Sequence, residues 1–175
     1  MIFFLNILIF LISKPSFAAI QPLTGSSLIN QIQSGAVLSQ MGFQIQAIPT
    51  NWILKKPFNQ DSSTIEIGSE ELNKKSSLSF HTEIIPVKTD LEKYVRQYLR
   101  DYNQYGFEVI GLQSLKTGQN SVVVDLNQKN KSTRSRQVFY KKDNKIVLAT
   151  CIDEFEQFSK TILICNAVLN TFQWR

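Results

Sequence analysis

From residue 42 onward, hydrophobic positions recur mostly at every second residue. Phe43, Ile45 and Ala47 alternate with Gln44 and Gln46, the pattern of a strand with one buried face. Short polar turns rather than helices join the later runs, so they are predicted to form an antiparallel meander. The further predicted strands are 52–54, 64–68, 77–85, 107–115, 121–126, 137–141 and 146–152, with a long polar loop after residue 126.

Two segments have helical spacing instead. Thr89 and Glu92 form a possible capping box ahead of an apolar stripe that runs to Tyr102, and Gly106 is placed to end this helix. A last helix is predicted from Phe155, capped by Asp153. We therefore expect an α+β fold, in which an antiparallel sheet of about six strands packs one face on two helices.

The N-terminal residues have a different pattern. Met1 to Ile12 are apolar except for Asn6, Pro15 follows, and small residues at 16 and 18 fit signal peptidase cleavage after Ala18. We predict a cleaved signal peptide at 1–18, an N-terminal arm at 19–41 and a single α+β domain at 42–175. The absence of Lys or Arg before the apolar run leaves an uncleaved anchor as the alternative. After cleavage no apolar run is long enough to span a bilayer.

Export bears on the two cysteines. Cys151 and Cys165 can pair in an oxidising compartment, although an unbroken helix from Phe155 would carry Cys165 about 15 Å from its start, too far for a disulfide. The bond requires the helix to begin later or to cross back over the last strand. Two buried free thiols are the alternative, and the lack of a C-x-x-C motif disfavours a redox site.

Positive charge is concentrated in one part of the chain. The protein has a net charge of +5, and residues 127–145 hold seven Lys or Arg residues against Asp143 alone. This basic hairpin could bind a protein or an anionic envelope component, or it could only keep an exposed hairpin soluble. Nucleic acid is disfavoured because the loop has few aromatic residues. The predicted partner-binding residues are Lys129, Lys131, Arg134, Arg136, Lys141 and Lys142.

Candidate chemistry is sparse. His81 is the single histidine and lies near Glu83, but no serine elbow or activated cysteine accompanies it. We predict no enzyme, no cofactor and no metal site, because no ligand set or phosphate-binding loop of known spacing occurs. Tyr94, Tyr98 and Tyr102 have helical spacing, which favours packing on the sheet over a ligand groove.

Two short motifs resemble a known family. Pro49-Thr50-Asn51-Trp52 after the first strand and Val168-Leu169-Asn170-Thr171-Phe172 at the end of the last helix are similar to the PsbP-like fold. That family includes photosystem II extrinsic subunits, a nuclear Ran-binding factor and exported bacterial proteins of the DcrB type. The resemblance covers about 42–174, and it implies an accessory or assembly protein without catalysis.

These observations predict a periplasmic or secreted, non-catalytic accessory protein of the bacterial envelope. Two alternatives stay open. One is a secreted effector or inhibitor directed at another organism's protein, and the other is a small hydrolase that uses His81.

Overall fold

The structure is a computed structural model that describes residues 41–46, 48–49, 51–56, 63–71, 75–115 and 120–175. The predicted signal peptide and the arm up to residue 40 lie outside the described residues. Met41 is buried in the core of the domain. No helix in the described ranges combines the length and apolar character needed to cross a bilayer.

The main sheet has seven strands, one more than predicted, and every neighbouring pair is antiparallel. Its spatial order is β2-β3-β4-β8-β7-β6-β5. A separate two-stranded ribbon joins β1 to β9. The strands are β1 (Phe43–Gln44), β2 (Trp52–Lys56), β3 (Thr64–Ser69), β4 (Ser77–Ile84), β5 (Phe107–Leu115), β6 (Ser121–Gln128), β7 (Thr133–Lys142), β8 (Lys145–Glu154) and β9 (Gln173–Trp174).

The long polar loop predicted after residue 126 does not exist. Strand β6 continues to Gln128 and β7 begins at Thr133, which leaves a turn of four residues, 129–132. Asn130 stabilises this turn by accepting the Ser132 backbone N–H at 3.0 Å, and Lys131 adopts a φ of 55°. Polar residues on both strands concealed the pairing, since they made the segment look like a loop.

The two helices lie on opposite faces of the sheet, not on one face as expected. Helix α1 (Leu91–Tyr98) packs on β6 and β7, and helix α2 (Phe158–Leu169) packs on β8 and β7 from the other side. Alternate residues of the central strands therefore enter two cores. Phe139 and Ile146 belong to the α1 core, while Val138 and Val147 belong to the α2 core.

Helix α1 has different ends from those predicted. Asp90, not Thr89, is the N-cap, and its Oδ1 accepts the Lys93 backbone N–H at 2.8 Å. The helix stops at Tyr98 because the chain continues in tighter turns, with bonds such as Tyr102 N–H to Leu99 O. Gly106, with a φ of +83°, ends those turns rather than the helix itself.

Helix α2 begins at Phe158, later than the predicted Phe155. Asp153 stays in β8, where its carboxylate accepts hydrogen bonds from the Thr161 hydroxyl and the Glu154 N–H, so it does not cap the helix. The later start lets α2 pass back over β8. Cys165 thereby comes within 6.1 Å of Cys151, measured between Cα atoms, and the two form a disulfide.

Candidate functional site

The six predicted basic residues do not share one surface. Strand β7 is ten residues long, about 30 Å at the usual rise, and it separates Lys129 and Lys131 at one end of the sheet from Lys142 at the other. Arg134 and Arg136 lie between them on the face covered by α2. The basic hairpin is thus continuous in sequence but divided in space.

Most of these cations have partners within the fold. Arg134 places its guanidinium carbon 5.4 Å from the centroid of the Phe158 ring. Of the six basic residues, Lys131 is the one whose side chain has no hydrogen bond, ion pair or ring contact to the described residues. Three lysine Nζ atoms donate to backbone carbonyls: Lys129 to Asn103 at 2.9 Å, Lys141 to Val87 at 3.0 Å and Lys142 to Arg175 at 3.3 Å.

Arg136 connects the sheet to helix α2. Its Nε and Nη2 donate to the two carboxylate oxygens of Asp125 at 2.7 and 2.8 Å, a bidentate pair between neighbouring strands. Its Nη1 donates to Asn166 Oδ1 at 3.2 Å. The hydrogen bonds to Asp125 raise the pKa of Arg136. The side chains of Arg136 and Asp125 are 27% and 22% exposed, so the pair is half-buried, and Arg136 also lines a cavity.

That cavity is a groove beside α2, which we call the Arg136 groove. It exists because α2 covers β8 and β7 and leaves β6 and β5 open on the same face. Its volume is about 550 Å³. Its lining mixes polar and apolar residues. Strands β5, β6 and β7 contribute Gln113, Leu115, Ser121, Val123, Arg136, Val138 and Tyr140, and α2 with the residues after it contributes Asn166, Leu169, Asn170 and Phe172.

The outer rim of the groove is an edge strand. In the described part of the chain, β5 pairs with β6 only, and most of its residues are exposed. It carries one charged residue, Glu108, and a bulge between Val109 and Gly111. The bulge apart, β5 has few of the devices that usually block edge pairing. Gln113 and Leu115 on this strand border the groove directly.

His81 lies on the opposite face of the sheet from the groove. Its Nδ1 is 2.9 Å from Thr64 Oγ1 and 3.2 Å from Ser63 Oγ, so a serine hydroxyl is indeed nearby. The nearest predicted carboxylate, Glu83, instead accepts the Tyr94 hydroxyl at 2.7 Å. Among the described residues, no three His, Cys, Asp or Glu side chains form a group that could hold a metal.

The tyrosines of α1 pack rather than open a site. Leu91 and Val95 are the buried residues of the helix. Tyr94 and Tyr98 stack with ring centroids 6.3 Å apart, and Tyr102, in the turns after the helix, lies tilted against Tyr98 at 5.5 Å. Tyr98 also meets the edge of the Phe139 ring at 5.3 Å. Burial is the main cause that raises the pKa of Tyr94 and of Tyr98. Hydrogen bonds, from Tyr94 to Glu83 and between Tyr98 and Tyr102, raise these pKa values further.

Two groove residues, and the acidic partner of Arg136, were missed at the level of sequence. Asn166 and Asn170 are four residues apart in and beside an apolar helix, a spacing that places them on one face. Asp125 interrupts a run of valines and leucine in β6. All three are polar residues in or next to apolar elements, and that contrast was the available signal.

Comparison with known proteins gives the fold. No family model and no curated protein matches the chain. The solution structure of cyanobacterial PsbP (CyanoP) from Synechocystis sp. PCC 6803 is similar, with a TM-score of 0.59 and 12% identity over 78% of this chain and 89% of that one. A protein from Bacteroides thetaiotaomicron VPI-5482 aligns with a TM-score of 0.48 and 11% identity over 77% of this chain and 45% of its own.

The similarity to CyanoP confirms the predicted α+β, PsbP-like fold. At 12% identity it carries information about the fold alone. The narrower resemblance to DcrB-type proteins stays a prediction.

Proposed function

We propose that this chain is a non-catalytic accessory or assembly protein that works outside the cytoplasm, in the bacterial envelope, and holds an extended segment of a partner protein in the Arg136 groove. The observation that carries the proposal is the position of the groove. It opens along β5, an edge strand that pairs on one side only in the described part of the chain.

An edge strand beside a groove suits an extended polypeptide. A segment added next to β5 would pair its backbone with the outward N–H and C=O groups of that strand. Because side chains alternate between the two faces of a strand, every second residue of the segment would enter the groove past Gln113 and Leu115. Backbone pairing would supply affinity, and the groove would supply selectivity.

The lining of the groove indicates which side chains it would accept. Arg136 is neutralised by Asp125, so the groove has no excess positive charge to attract a strongly anionic group. Asn166 and Asn170 offer amide donors and acceptors beside apolar residues such as Val123 and Val138. The expected residues are therefore aliphatic or polar and uncharged. Arg136 acts here by positioning Asn166, not as an anion receptor.

Two features support work outside the cytoplasm. The Cys151–Cys165 disulfide is of a kind that persists mainly in oxidising compartments. The predicted signal peptide at 1–18 would deliver the chain there, to the periplasm or the medium. A secreted effector or inhibitor would accumulate in culture medium, whereas an envelope accessory would remain with the cells.

The hydrolase alternative rests on one contact, Ser63 Oγ to His81 Nδ1 at 3.2 Å. The same nitrogen also faces Thr64 Oγ1, and the Glu83 carboxylate is bonded to Tyr94. Ser63, His81 and Glu83 therefore do not form the chain of hydrogen bonds of a serine–histidine–acid catalytic triad. This arrangement favours binding over catalysis as the proposed function.

The proposal is tested by affinity capture from solubilised envelope with matched single variants. Leu115→Lys places a charge at the rim of the groove, and Leu163→Lys makes the same change on the outer side of α2, where the leucine is 69% exposed. We expect Leu115→Lys to lose the partner and Leu163→Lys to keep it. Equal capture by Leu115→Lys and the wild type, or loss with Leu163→Lys alone, would refute the groove as the binding site.

A further inference from the structure

Two aliphatic residues project from one end of the sheet. Ile84 ends β4 and Val87 lies in the turn after it, and their exposed fractions are 66% and 62%. Single exposed aliphatic residues are common on proteins. These two, however, lie three positions apart, next to the β7–β8 turn. Lys145 is the cross-strand partner of Ile84, and Lys88 follows Val87 in the sequence.

The protein holds this turn in place. Ile85, between the two exposed residues, is buried in the α1 core, and its backbone N–H donates to Asn144 O at 2.7 Å. Lys141 Nζ donates to Val87 O at 3.0 Å. The turn is thus fixed to the β7–β8 hairpin by two hydrogen bonds, one to the Asn144 O in the hairpin turn and one from Lys141 in β7. Ile84 and Val87 are presented to the outside by a supported backbone.

Lysines outnumber carboxylates at this end of the sheet. Lys88, Lys141, Lys142 and Lys145 lie on the two turns or next to them. The carboxylates are Asp143 on the β7–β8 turn and Asp90, which accepts the Lys93 N–H as the N-cap of α1. The nearby Glu83 instead accepts the Tyr94 hydroxyl on the α1 face. Long lysine side chains can extend past an apolar residue and keep their ammonium groups in a polar layer. We call Ile84, Val87 and these four lysines the lysine tip.

We propose that the lysine tip docks on an anionic membrane surface. Ile84 and Val87 would enter the boundary between headgroups and acyl chains, and the lysines would lie among the lipid phosphates. A protein partner fits less well, because protein interfaces are depleted in lysine and enriched in aromatic residues and arginine. The tip shares no residue with the Arg136 groove, so this inference goes beyond the proposed function and does not depend on it.

Co-sedimentation of the full chain with vesicles tests the proposal. The vesicles are phosphatidylcholine, with or without phosphatidylglycerol, and the variants are Lys88→Glu/Lys142→Glu and Ile84→Ser/Val87→Ser. Lys141 and Lys145 are left intact because they are only partly exposed and donate to the carbonyls of Val87 and Met41. Lys142 is exposed and donates to the Arg175 O at 3.3 Å, and the control residue Lys129 has a matching contact with the Asn103 O. All four substituted residues are exposed, and circular dichroism with thermal melting checks that each variant folds.

We expect the wild type to bind only vesicles that contain phosphatidylglycerol, and to bind less as salt rises. Each lysine near an anionic surface contributes about a five-fold gain in partitioning, so the double charge reversal should weaken binding by about 25-fold or more. Ile84→Ser/Val87→Ser should weaken it as well. Two matched controls should bind as the wild type does: Lys129→Glu/Lys131→Glu at the opposite end of the sheet, and Leu163→Ser.

Three outcomes would overturn the proposal. Binding that does not depend on phosphatidylglycerol would point to the predicted apolar leader instead of the tip. An equal loss with Lys129→Glu/Lys131→Glu would mean that net charge alone matters. Sensitivity to the lysines but not to Ile84 and Val87 would indicate a site for a soluble polyanion or an acidic protein.

Discussion

The disulfide offers a prediction whose size follows from the structure. Cys151 in β8 and Cys165 in α2 are both fully buried, and they close a loop of about 15 residues. In the chain-entropy model, closing such a loop removes enough freedom from the unfolded chain to stabilise the fold by about 3 kcal/mol. The bond also fixes α2 on β8 next to the Arg136 groove.

The perturbation is the double variant Cys151→Ala/Cys165→Ala. For a domain of this size, about 3 kcal/mol corresponds to a fall in Tm of about 6 to 12 °C. Removal of two buried sulfur atoms leaves a small cavity, which would increase the fall. Thermal melting and urea unfolding of both proteins measure the change, and melting of the wild type in reductant gives a second estimate without mutation.

Thiol titration supplies the control. Protein purified from the oxidising compartment should show no reactive thiols when denatured without reductant, and two after reduction. Two thiols in the unreduced protein would refute the disulfide. A double variant whose Tm lies within about 2 °C of the wild type would refute the stabilisation assigned to it.

Three further predictions concern charge, catalysis and pH. Arg136→Met should destabilise the fold by about 1 to 3 kcal/mol, because it leaves the half-buried Asp125 carboxylate unpaired. Urea unfolding should show that adding Asp125→Asn restores part of the loss. A single variant as stable as the wild type would contradict this. His81→Ala should leave partner capture unchanged, and loss of any turnover in this variant would instead support the hydrolase. Burial raises the pKa of Tyr140, so its contribution to stability is fully present below about pH 10 and is lost as the pH rises further, when the unfolded phenol ionises. The urea midpoint of the wild type should then fall between about pH 9 and pH 11, and the midpoint of Tyr140→Phe should fall less. The two free energies of unfolding should differ in pH slope by up to about 1.4 kcal/mol per pH unit, and equal slopes would contradict the prediction.

The sequence predicted the strands of the meander well because turn residues and alternating apolar positions are visible within a few residues of each other. Asp143 and Asn144 mark the β7–β8 turn, and apolar residues alternate on both sides of it. Helix ends were less accurate for the same local reason. Thr89 and Asp90 are both able to cap, and only the geometry shows that the Asp90 carboxylate reaches the Lys93 N–H.

The candidate site was harder to predict because it depends on long-range placement. Arg136 was identified as a binding residue from the charge around it, but its pairing with Asp125 follows from the β6–β7 register. The groove itself exists because α2 lies over β8 and β7 and not over β5. No local pattern specifies that offset. The division of the basic hairpin into two ends has a similar origin, since it follows from the length of β7.

Site-specific photocrosslinking in intact producing cells tests the groove most directly. A photoreactive phenylalanine derivative replaces Gln113 at the rim of the groove in one variant and Leu163 on the outer side of α2 in the other; both positions are exposed. We predict one discrete protein adduct from position 113, absent from position 163 and lost when Leu115→Lys is added. An adduct that forms only at position 163, or one at position 113 that survives Leu115→Lys, would contradict binding of a partner segment along β5.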